Sequence, residues 1–269
     1  MFFHWAGAKR LSGPNGCNNM MGKILFEQFP KDITTFIDIF IGSGCVAFEA
    51  AKLYKYVITN DLNNDIHNFY NIYMTRRQEL IDLIEITPYH ESIFKDFKNY
   101  KQEKDELLRA LKFVYVYNYG FINNSTMRHA LVSNAKTNLI NRLKDILTPA
   151  NIQFLNCDFR KVLKKISFHI ARPNQKKRAF VYADPPYLDV SNAYGFKWQE
   201  KDFQDLVDLL IDSEIRFAIS EFDNPKVIEY AKSKRLNIVN LCNRRNLGNH
   251  RNEILITNYQ EKGDLWTST

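Results

Sequence analysis

The sequence predicts an α/β fold with a largely parallel, doubly wound sheet and a mostly helical insertion, and three observations support this class. Short apolar runs bounded by turn residues alternate with helical patterns at both ends of the chain. A glycine-rich turn directly follows the first apolar run. Hydrophobic residues make up 45% and charged residues 25% of the 269 residues, which excludes collagen, coiled coil and wholesale disorder.

The first unit is predicted as a strand, a turn, a helix and a second strand. The apolar run Thr35–Phe40 is the first strand, and Tyr56–Thr59 is the second. An alanine-rich helical stretch from Val46 to Lys52 lies between them. A β-turn-α-β unit of this kind begins a parallel sheet.

The last part of the chain continues the alternation. Two apolar runs, Ala179–Ala183 and Arg216–Ser220, are predicted as strands. The helix between them places four apolar residues on one face: Phe203, Leu206, Val207 and Leu210. Asn224 followed by Pro225 predicts the start of a further helix. The final runs, Leu236–Leu241 and Glu253–Tyr259, are joined by a basic loop and can pair antiparallel.

Residues 66–154 interrupt this rhythm and are predicted as a mostly helical insertion. They are rich in Tyr, Asn, Lys and Glu, and one helical face carries Leu107, Leu108, Leu111 and Tyr115. Residues 1–65 and 155–269 then form one sheet domain. The basic stretch Lys164–Arg178 contains Pro173 and is interpreted as a surface loop.

Charge and cysteine content limit the function classes. The chain has 37 Lys and Arg residues against 30 Asp and Glu residues, which gives a net charge of +7. This charge favours an anionic partner, although a basic surface without such a partner would explain it equally well. The four cysteines lie far apart, so neither a disulfide framework nor a zinc site is expected. The sequence shows no signal-peptide pattern and no apolar run long enough to span a membrane. We therefore expect a soluble cytoplasmic protein without a membrane partner.

The glycine-rich turn predicts a nucleotide-like cofactor. Gly42, Ser43 and Gly44 lie between the first strand and the first helix, where the backbone must turn sharply and let a ligand approach. Asp61 ends the second strand, the position from which a carboxylate can accept hydrogen bonds from ribose hydroxyls. A nicotinamide cofactor and S-adenosylmethionine both carry a ribose diol, so the turn does not separate them.

The tetrapeptide Asp184-Pro185-Pro186-Tyr187 follows a predicted strand and predicts the chemistry. Two prolines fix φ and remove two backbone donors, which leaves an acceptor-rich, rigid pocket. An amino group on an aromatic ring is a poor nucleophile. The Asp184 carboxylate and the Pro185 carbonyl could each accept a hydrogen bond from one N–H of this amino group. These hydrogen bonds would localise the nitrogen lone pair toward a methyl donor. Tyr187 then offers a face for stacking the base.

With these motifs in this order, the chain resembles the Dam-type DNA adenine-N6 methyltransferase family of the alpha class. His4–Arg10 resembles the family's first motif, with Ala8 in place of a glycine. The family's later motifs are matched by Asp38–Gly44, Asn60–Asn63 and the Asp-Pro-Pro-Tyr segment. Ala218–Asp223 resembles a further strand end, where Glu221 replaces the usual asparagine. The resemblance implies a Rossmann-like S-adenosylmethionine-dependent methyltransferase sheet with a target-recognition insertion at 66–154. It implies no metal.

The same resemblance implies cofactor-binding residues along the chain. Trp5, Ala6 and Lys9 are placed by the methionine part of the cofactor, and Asp158 and Phe159 lie where the family contacts the adenine. The full implied set is Trp5, Ala6, Lys9, Asp38, Phe40, Gly42, Ser43, Gly44, Asp61, Leu62, Asp158, Phe159 and Asp184.

The resemblance also implies a DNA interface in two places. The segment 117–128 is similar to the family's DNA-entering segment, with base readout by Arg128 and a wedge from Met127. A basic loop before the last strand matches a family loop near the DNA backbone. The implied residues are Asn118, Asn123, Asn124, Met127, Arg128, Arg244, Arg245 and Arg251.

The hypothesis that follows is methyl transfer from S-adenosylmethionine to N6 of an adenine flipped out of double-stranded DNA. The expected partners are duplex DNA and a cognate restriction endonuclease, with the chain as a monomer or weak dimer. Alternatives stay open: cytosine N4 or RNA adenine as the acceptor, or a methyltransferase-like DNA-binding factor without catalysis. A nicotinamide oxidoreductase leaves Asp184–Tyr187 unexplained.

Overall fold

A computed structural model describes the chain except for residues 1, 4, 6, 7, 10–16, 122, 123, 129–131, 147, 148, 170–172, 190–197, 247, 248 and 261–269. Side chains are likewise not described at 17–21, 132, 133, 167–169, 173, 242–246 and 249–251, where only the backbone is considered.

Seven strands form one sheet in the order β5-β2-β1-β6-β7-β9-β8, and two more form a small hairpin. The strands are β1 (Thr35–Asp38), β2 (Tyr56–Asn60), β3 (Gly120–Phe121), β4 (Thr126–Met127), β5 (Ile152–Leu155), β6 (Ala179–Ala183), β7 (Arg216–Phe222), β8 (Asn237–Asn246) and β9 (Asn249–Thr257). Strands β5, β2, β1, β6 and β7 pair in parallel, and β9 is antiparallel to both of its neighbours. The strand order reverses between β1 and β6, which is where open α/β sheets bind ligands.

The helices cover both faces of this sheet. They are α1 (Cys17–Glu27), α2 (Cys45–Leu53), α3 (Asn64–Thr75), α4 (Arg77–Ile86), α5 (Glu91–Phe97), α6 (Glu106–Tyr119), α7 (Val132–Asp145), α8 (Phe159–His169), α9 (Pro173–Lys177), α10 (Glu200–Asp212) and α11 (Pro225–Ser233). Side-chain caps set several starts: Asn63 accepts the Asp65 N–H at α3, and Asn224 accepts the Lys226 N–H at α11.

Two hydrophobic clusters hold the layers together, one on each face of the sheet. Side chains alternate along a strand, so Phe36 joins one cluster and Ile37 joins the other. The first cluster contains residues of α2, α3, α4 and α6, and the second contains residues of α8, α10 and α11. Each large apolar side chain buried in this way contributes about 1.5–3 kcal/mol relative to exposure.

The predicted alternation of strands and helices is confirmed, including the antiparallel pairing of the last two strands. The apolar face of α10 is buried as predicted. Three details were wrong. Leu108 is 39% exposed, because it lies beside rather than on the buried face of α6. The stretch 164–178 is not one loop, since α8 continues to His169 and α9 follows. The basic loop before the last strand is the end of a long hairpin, in which Arg244 pairs with Arg251.

The insertion is mostly helical, but it packs directly on the sheet. Phe69 of α3 and Phe113 of α6 belong to the same cluster as Phe36 of β1 and Phe180 of β6. One hydrophobic cluster therefore contains residues of both the insertion and the sheet domain. Because this shared core marks no border between the two, the domain boundaries at residues 66 and 154 stay a prediction.

Candidate active site

The glycine turn after β1 is a tight structure that needs residues without a Cβ. Gly42 and Gly44 have φ values of +47° and +75°, in the left-handed region. A Cβ added to Gly44 would lie 2.5 Å from the hydroxyl of Tyr70. That hydroxyl donates to the Gly42 carbonyl at 2.9 Å, so α3 supports the turn from below.

The amino-terminal segment lies against the same turn. A Cβ on Gly42 would meet the Trp5 indole at 3.1 Å, so Trp5 lies against the turn. Ala6 lies outside the described residues. Ser43 is buried, and its hydroxyl donates to the Cys45 sulfur at 3.3 Å.

Asp61 has the geometry of a ribose-binding carboxylate. One oxygen accepts the Gly42 N–H at 3.0 Å, and the other accepts the Asn63 N–H at 2.9 Å. Each carboxylate oxygen can accept two hydrogen bonds, so acceptor capacity is left for a pair of ribose hydroxyls. Burial raises the pKa of Asp61 to about 6. The glycine turn and this carboxylate together fit a ribose-containing cofactor.

Three aromatic side chains form a wall beside the turn. Phe40 lies 5.7 Å from Phe159 and 5.7 Å from Trp198, measured between ring centroids. Asp158 accepts the Arg160 N–H at 2.8 Å and its carboxylate lies 3.3 Å from the Arg160 guanidinium. Phe40 and Phe159 were proposed from the sequence as cofactor residues, but Trp198, which no motif marks, was not proposed. Leu62, from the ribose motif, is exposed.

The Asp184 carboxylate lies in a cluster assembled from three parts of the chain. The Lys9 ammonium donates to its two oxygens at 2.7 and 2.8 Å and to the Tyr187 hydroxyl oxygen at 2.6 Å. The Tyr187 hydroxyl lies 3.0 Å from Asp184 Oδ1 and its ring packs edge-on against Phe222. The predicted Lys9 therefore meets the Asp184–Tyr187 motif directly. Pro185 is buried, and Pro186 is half-buried.

A second carboxylate, which sequence reasoning missed, completes this cluster. Glu253 on β9 is 0% exposed, and its Oε1 lies 2.9 Å from the Lys9 ammonium and 2.9 Å from the Tyr187 hydroxyl. The sequence signal was a lone acidic residue at the head of the apolar run Ile254-Leu255-Ile256. A buried carboxylate of this kind requires a partner.

Glu221, the departure from the family pattern, supports the segment that follows Tyr187. It is 0% exposed on β7 and accepts the Leu188 N–H and the Phe222 N–H, both at 2.8 Å. Burial raises the pKa of Glu221 to about 8. Sequence reasoning assigned this residue no role.

Asp38 lies at the end of β1 beneath the site. It is buried and accepts the Phe40 N–H at 3.2 Å. Burial raises the pKa of Asp38 to about 8, and the negative charges of Asp184 and Asp61 add to the increase. The carboxyl ends of β1 and β6 thus carry more acidic groups than one lysine neutralises.

This surplus predicts that the chain loses stability as pH rises. Between its ordinary pKa of 3.8 and about 8, Asp38 holds a proton in the folded state that the unfolded state has lost. The free energy of unfolding therefore falls with rising pH until about pH 8, by at most about 1.4 kcal/mol per pH unit for this group. Asp38→Asn keeps an acceptor for Phe40 and removes the titration. Urea unfolding at pH 6 and pH 8 should show a smaller loss in this variant, and an equal loss would contradict the assignment.

The insertion places two predicted DNA contacts inside the protein. Asn118 is 5% exposed, donates to the Val114 carbonyl at 2.8 Å, and accepts from the Arg142 guanidinium at 2.7 Å. Met127 is 5% exposed and belongs to the core cluster. Their burial does not agree with the predicted DNA contacts, because α6 and β4 turn both side chains inward. Neither residue is part of the interface proposed below.

The hairpin of β3 and β4 presents other side chains. Arg128 is exposed, and its Nε donates to the Gly120 carbonyl at 2.8 Å. Tyr89 contacts the Arg128 carbonyl with its hydroxyl, and Asn124 forms the turn with a φ of +60°. Phe121 is 54% exposed beside them. Asn123 lies outside the described residues.

The basic residues of the long hairpin are described by backbone alone. Arg244 lies opposite Arg251, and Arg245 lies opposite His250, in the antiparallel ladder of β8 and β9. Their side chains lie outside the described part of the chain. Base readout by Arg128 and phosphate contacts from this hairpin stay predictions.

The sheet order, with its reversal between β1 and β6, defines the class of the protein as a Rossmann-like α/β fold. The chain belongs to the D12 class N6 adenine-specific DNA methyltransferase family, whose sequence model matches residues 21–241. The Dam-type resemblance is thereby confirmed.

Relatives agree with this membership. The chain is 28% identical over 287 residues to the modification methylase StsI of Streptococcus sanguinis, covering 92% of this chain but 42% of that protein. It is 24% identical to the type II methyltransferase M1.LlaDCHI of Lactococcus lactis subsp. cremoris and to a DNA adenine methylase of Vibrio cholerae, covering in each case 72% of this chain and 68% of the relative. The chain thus spans less than half of the length of the Streptococcus methylase.

One solved structure with a similar outline is the rRNA methyltransferase aviRa from Streptomyces viridochromogenes, with a TM-score of 0.42 and 13% identity. The match covers 95% of this chain and 89% of that one.

Among the described helices, none has the length and apolar character needed to cross a bilayer. Within the same described residues, His, Cys, Asp and Glu side chains form no group of three suited to a metal ion.

Proposed function

We propose that this chain transfers the methyl group of S-adenosylmethionine to N6 of an adenine flipped out of double-stranded DNA. One observation carries the proposal: β1 and β6 are neighbouring strands, so the glycine turn and the Asp184–Tyr187 segment follow adjoining strand ends. A cofactor at the first and an acceptor base at the second would meet at the point where the strand order reverses. Family membership supports adenine as the acceptor.

The proposed roles follow from the groups present. S-adenosylmethionine supplies an electrophilic methyl group and leaves as S-adenosylhomocysteine. Asp184 and the Pro185 carbonyl accept the two N–H bonds of the acceptor amino group, and Pro186 stiffens the segment. Tyr187 offers a stacking face, with its ring held by Phe222. Asp184 then accepts the departing amino proton, and burial raises the pKa of Asp184, which favours that acceptance.

The cofactor residues follow from the same geometry. Asp61 binds the ribose hydroxyls, and Trp5 and the glycine turn line the approach. The wall of Phe40, Phe159 and Trp198 suits the flat adenine ring. The proposed transfer needs no metal because the sulfonium already carries a good leaving group, the neutral thioether.

Duplex DNA is the proposed partner because the family acts on DNA. The amino group of a paired base is inaccessible, so the base must be extruded. Extrusion costs a few kcal/mol, which binding energy must supply. Exposed Phe121 on the β3–β4 hairpin is the apolar side chain suited to fill the space left by the base, in place of the buried Met127. Arg128 beside it can bind guanine bidentately, and Asn124 offers an amide. The names of two relatives, a modification methylase and a type II methyltransferase, support a cognate restriction endonuclease as a further partner.

The basic hairpin is proposed to contact DNA phosphates, which predicts a specific salt effect. Arg244→Ala should weaken binding to all duplex sequences. It should also reduce the magnitude of the slope of log K against log salt concentration by about 1, as expected for the loss of one phosphate contact. Fluorescence anisotropy with labelled duplexes at several salt concentrations measures both. Lys176→Ala is the charge-matched control, since Lys176 precedes β6 at the opposite sheet edge and pairs with Glu214. An unchanged slope in the Arg244 variant would remove this hairpin from the interface.

The reaction itself is tested with methyl-labelled S-adenosylmethionine, unmethylated DNA and RNA. Product nucleosides are separated and identified by mass. We expect the label in N6-methyladenine from duplex DNA. Label in N4-methylcytosine would identify cytosine as the acceptor instead of adenine. Label in RNA would identify RNA as the substrate instead of DNA. No label in any acceptor from folded protein would favour a DNA-binding factor without catalysis, and calorimetry with the cofactor would then decide.

A further inference from the structure

We propose that Glu253 is a positioning residue of this site, which holds Lys9 and Tyr187 so that Asp184 can turn a carboxylate oxygen toward the acceptor amino group. The inference rests on the proposed function. It is carried by the position of a fully buried carboxylate between two site side chains, 2.9 Å from each.

The donors in this cluster are fewer than its acceptors. A lysine ammonium has three N–H donors, and a tyrosine hydroxyl has one. Lys9 reaches Asp184, Tyr187 and Glu253, and the Tyr187 hydroxyl lies within 3.0 Å of both carboxylates. Because the Tyr187 hydroxyl carries one proton, it donates to one carboxylate at a time. Donation to Glu253 leaves Asp184 with a vacant acceptor site for the substrate.

The charges give the same result. Lys9 is one cation between two carboxylates, so its attraction is divided between Asp184 and Glu253. Without Glu253, the ammonium would pair with Asp184 alone and compete with the substrate amino group for its oxygens. With Glu253 present, Lys9 keeps a buried partner when Asp184 turns to the base. Glu253 thus lowers the free energy needed to turn the Asp184 carboxylate from Lys9 toward the acceptor amino group.

Register in the sheet explains how Glu253 comes to this place. Phe222 pairs with Glu253 in the antiparallel ladder of β7 and β9, next to the pair of Glu221 and Ile254. Glu221 bonds to Leu188 from one strand, and Glu253 bonds to Tyr187 from the next. Two buried carboxyls therefore accept hydrogen bonds from the consecutive residues Tyr187 and Leu188.

The test is the pH dependence of turnover in Glu253→Gln. Burial and the charge of Glu253 raise the pKa of Asp184, and Lys9 lowers it. Asp184 must be ionised to accept the amino group, so activity falls as pH falls through the pKa of Asp184. Removing the charge of Glu253 lowers that pKa, and the acid limb should move to lower pH. The titratable or charged groups that face Asp184 are Lys9, Asp38, Tyr182, Tyr187, Glu221 and Glu253.

We expect kcat of Glu253→Gln to fall by about 10- to 100-fold, as for loss of one hydrogen bond to a charged group. KM for DNA and Kd for S-adenosylmethionine should stay within about threefold, since the cofactor residues are unchanged. Glu253→Asp keeps the charge on a shorter side chain, so its kcat should fall while its acid limb stays at the wild-type pH. This second variant tests the proposal if the Gln variant does not fold.

Asp65→Asn is the matched control, because Asp65 is a buried carboxylate whose ion pair with Arg109 lies outside the cluster. It should lower the free energy of unfolding without moving the acid limb. A Glu253→Gln variant that loses stability but keeps the wild-type kcat and acid limb would overturn the positioning role. Wild-type kcat in Glu253→Asp would do the same. A wild-type chain that methylates no DNA in the same assay would overturn the proposed function, and this inference with it.

Discussion

Replacing Asp184 by alanine is expected to lower turnover by at least about 10²–10³-fold, the usual loss when a hydrogen-bonding group of the transition state is removed. Asp184 is the carboxylate proposed to hold the acceptor amino group, and in the alanine variant the Pro185 carbonyl is the one proposed acceptor that remains. Kd for S-adenosylmethionine should stay within about threefold, because Asp61 and the glycine turn are unchanged. Single-turnover kinetics with methyl-labelled cofactor, beside calorimetric titration, separates the two effects.

Two further variants make this result specific. Asp184→Asn keeps the shape and one acceptor oxygen but turns a donor toward Lys9 or the substrate, so it should also be severely impaired. Asp189→Asn is the control, because Asp189 is an exposed carboxylate on the same segment whose φ of +60° suits asparagine. It should retain wild-type turnover. Substantial turnover in Asp184→Ala would refute the proposed role of this carboxylate.

Gly44→Ala is expected to have the largest effect on cofactor binding and stability. The left-handed backbone at Gly44 and the Tyr70 hydroxyl 2.5 Å from an added Cβ both oppose a side chain. The free energy of unfolding should fall by about 1–3 kcal/mol. Because the turn must shift to admit the methyl group, the affinity for S-adenosylmethionine should fall at least about tenfold. Urea unfolding and calorimetry measure the two quantities.

A double-mutant cycle with Tyr70→Phe identifies the cause. Tyr70→Phe removes the hydroxyl that the Cβ would meet and also its hydrogen bond to the Gly42 carbonyl, a loss of about 1 kcal/mol. The double variant should therefore be less destabilised than the sum of the two single variants. Additive losses would show that backbone strain, and not contact with Tyr70, makes glycine necessary here.

The proposed site could be predicted where its residues are close in sequence. The strand, glycine turn and helix from Thr35 to Leu53 form one local unit, and its periodicity and glycines are visible without tertiary structure. The segment Asp184–Tyr187 carries its chemistry in four consecutive residues. Asp61 was found for the same reason, as the end of a recognisable strand.

Other features depended on distant parts of the chain meeting. Lys9 and Asp184 are 175 positions apart, and their contact requires the amino-terminal segment to lie over the sheet edge. Glu253 and Glu221 carry no local motif, because their role arises from the register of β7 and β9. The pattern of an Asn-rich segment also could not show that Asn118 and Met127 face inward.

The sequence by itself determined the fold class, the family resemblance and the local motifs of the site, because these depend on periodicity and on neighbouring residues. Only the tertiary structure decided which charges meet, which side chains are buried and which face of the hairpin is exposed. These properties depend on packing between elements far apart in the chain, and burial then sets the pKa of carboxyls such as Asp38 and Glu221.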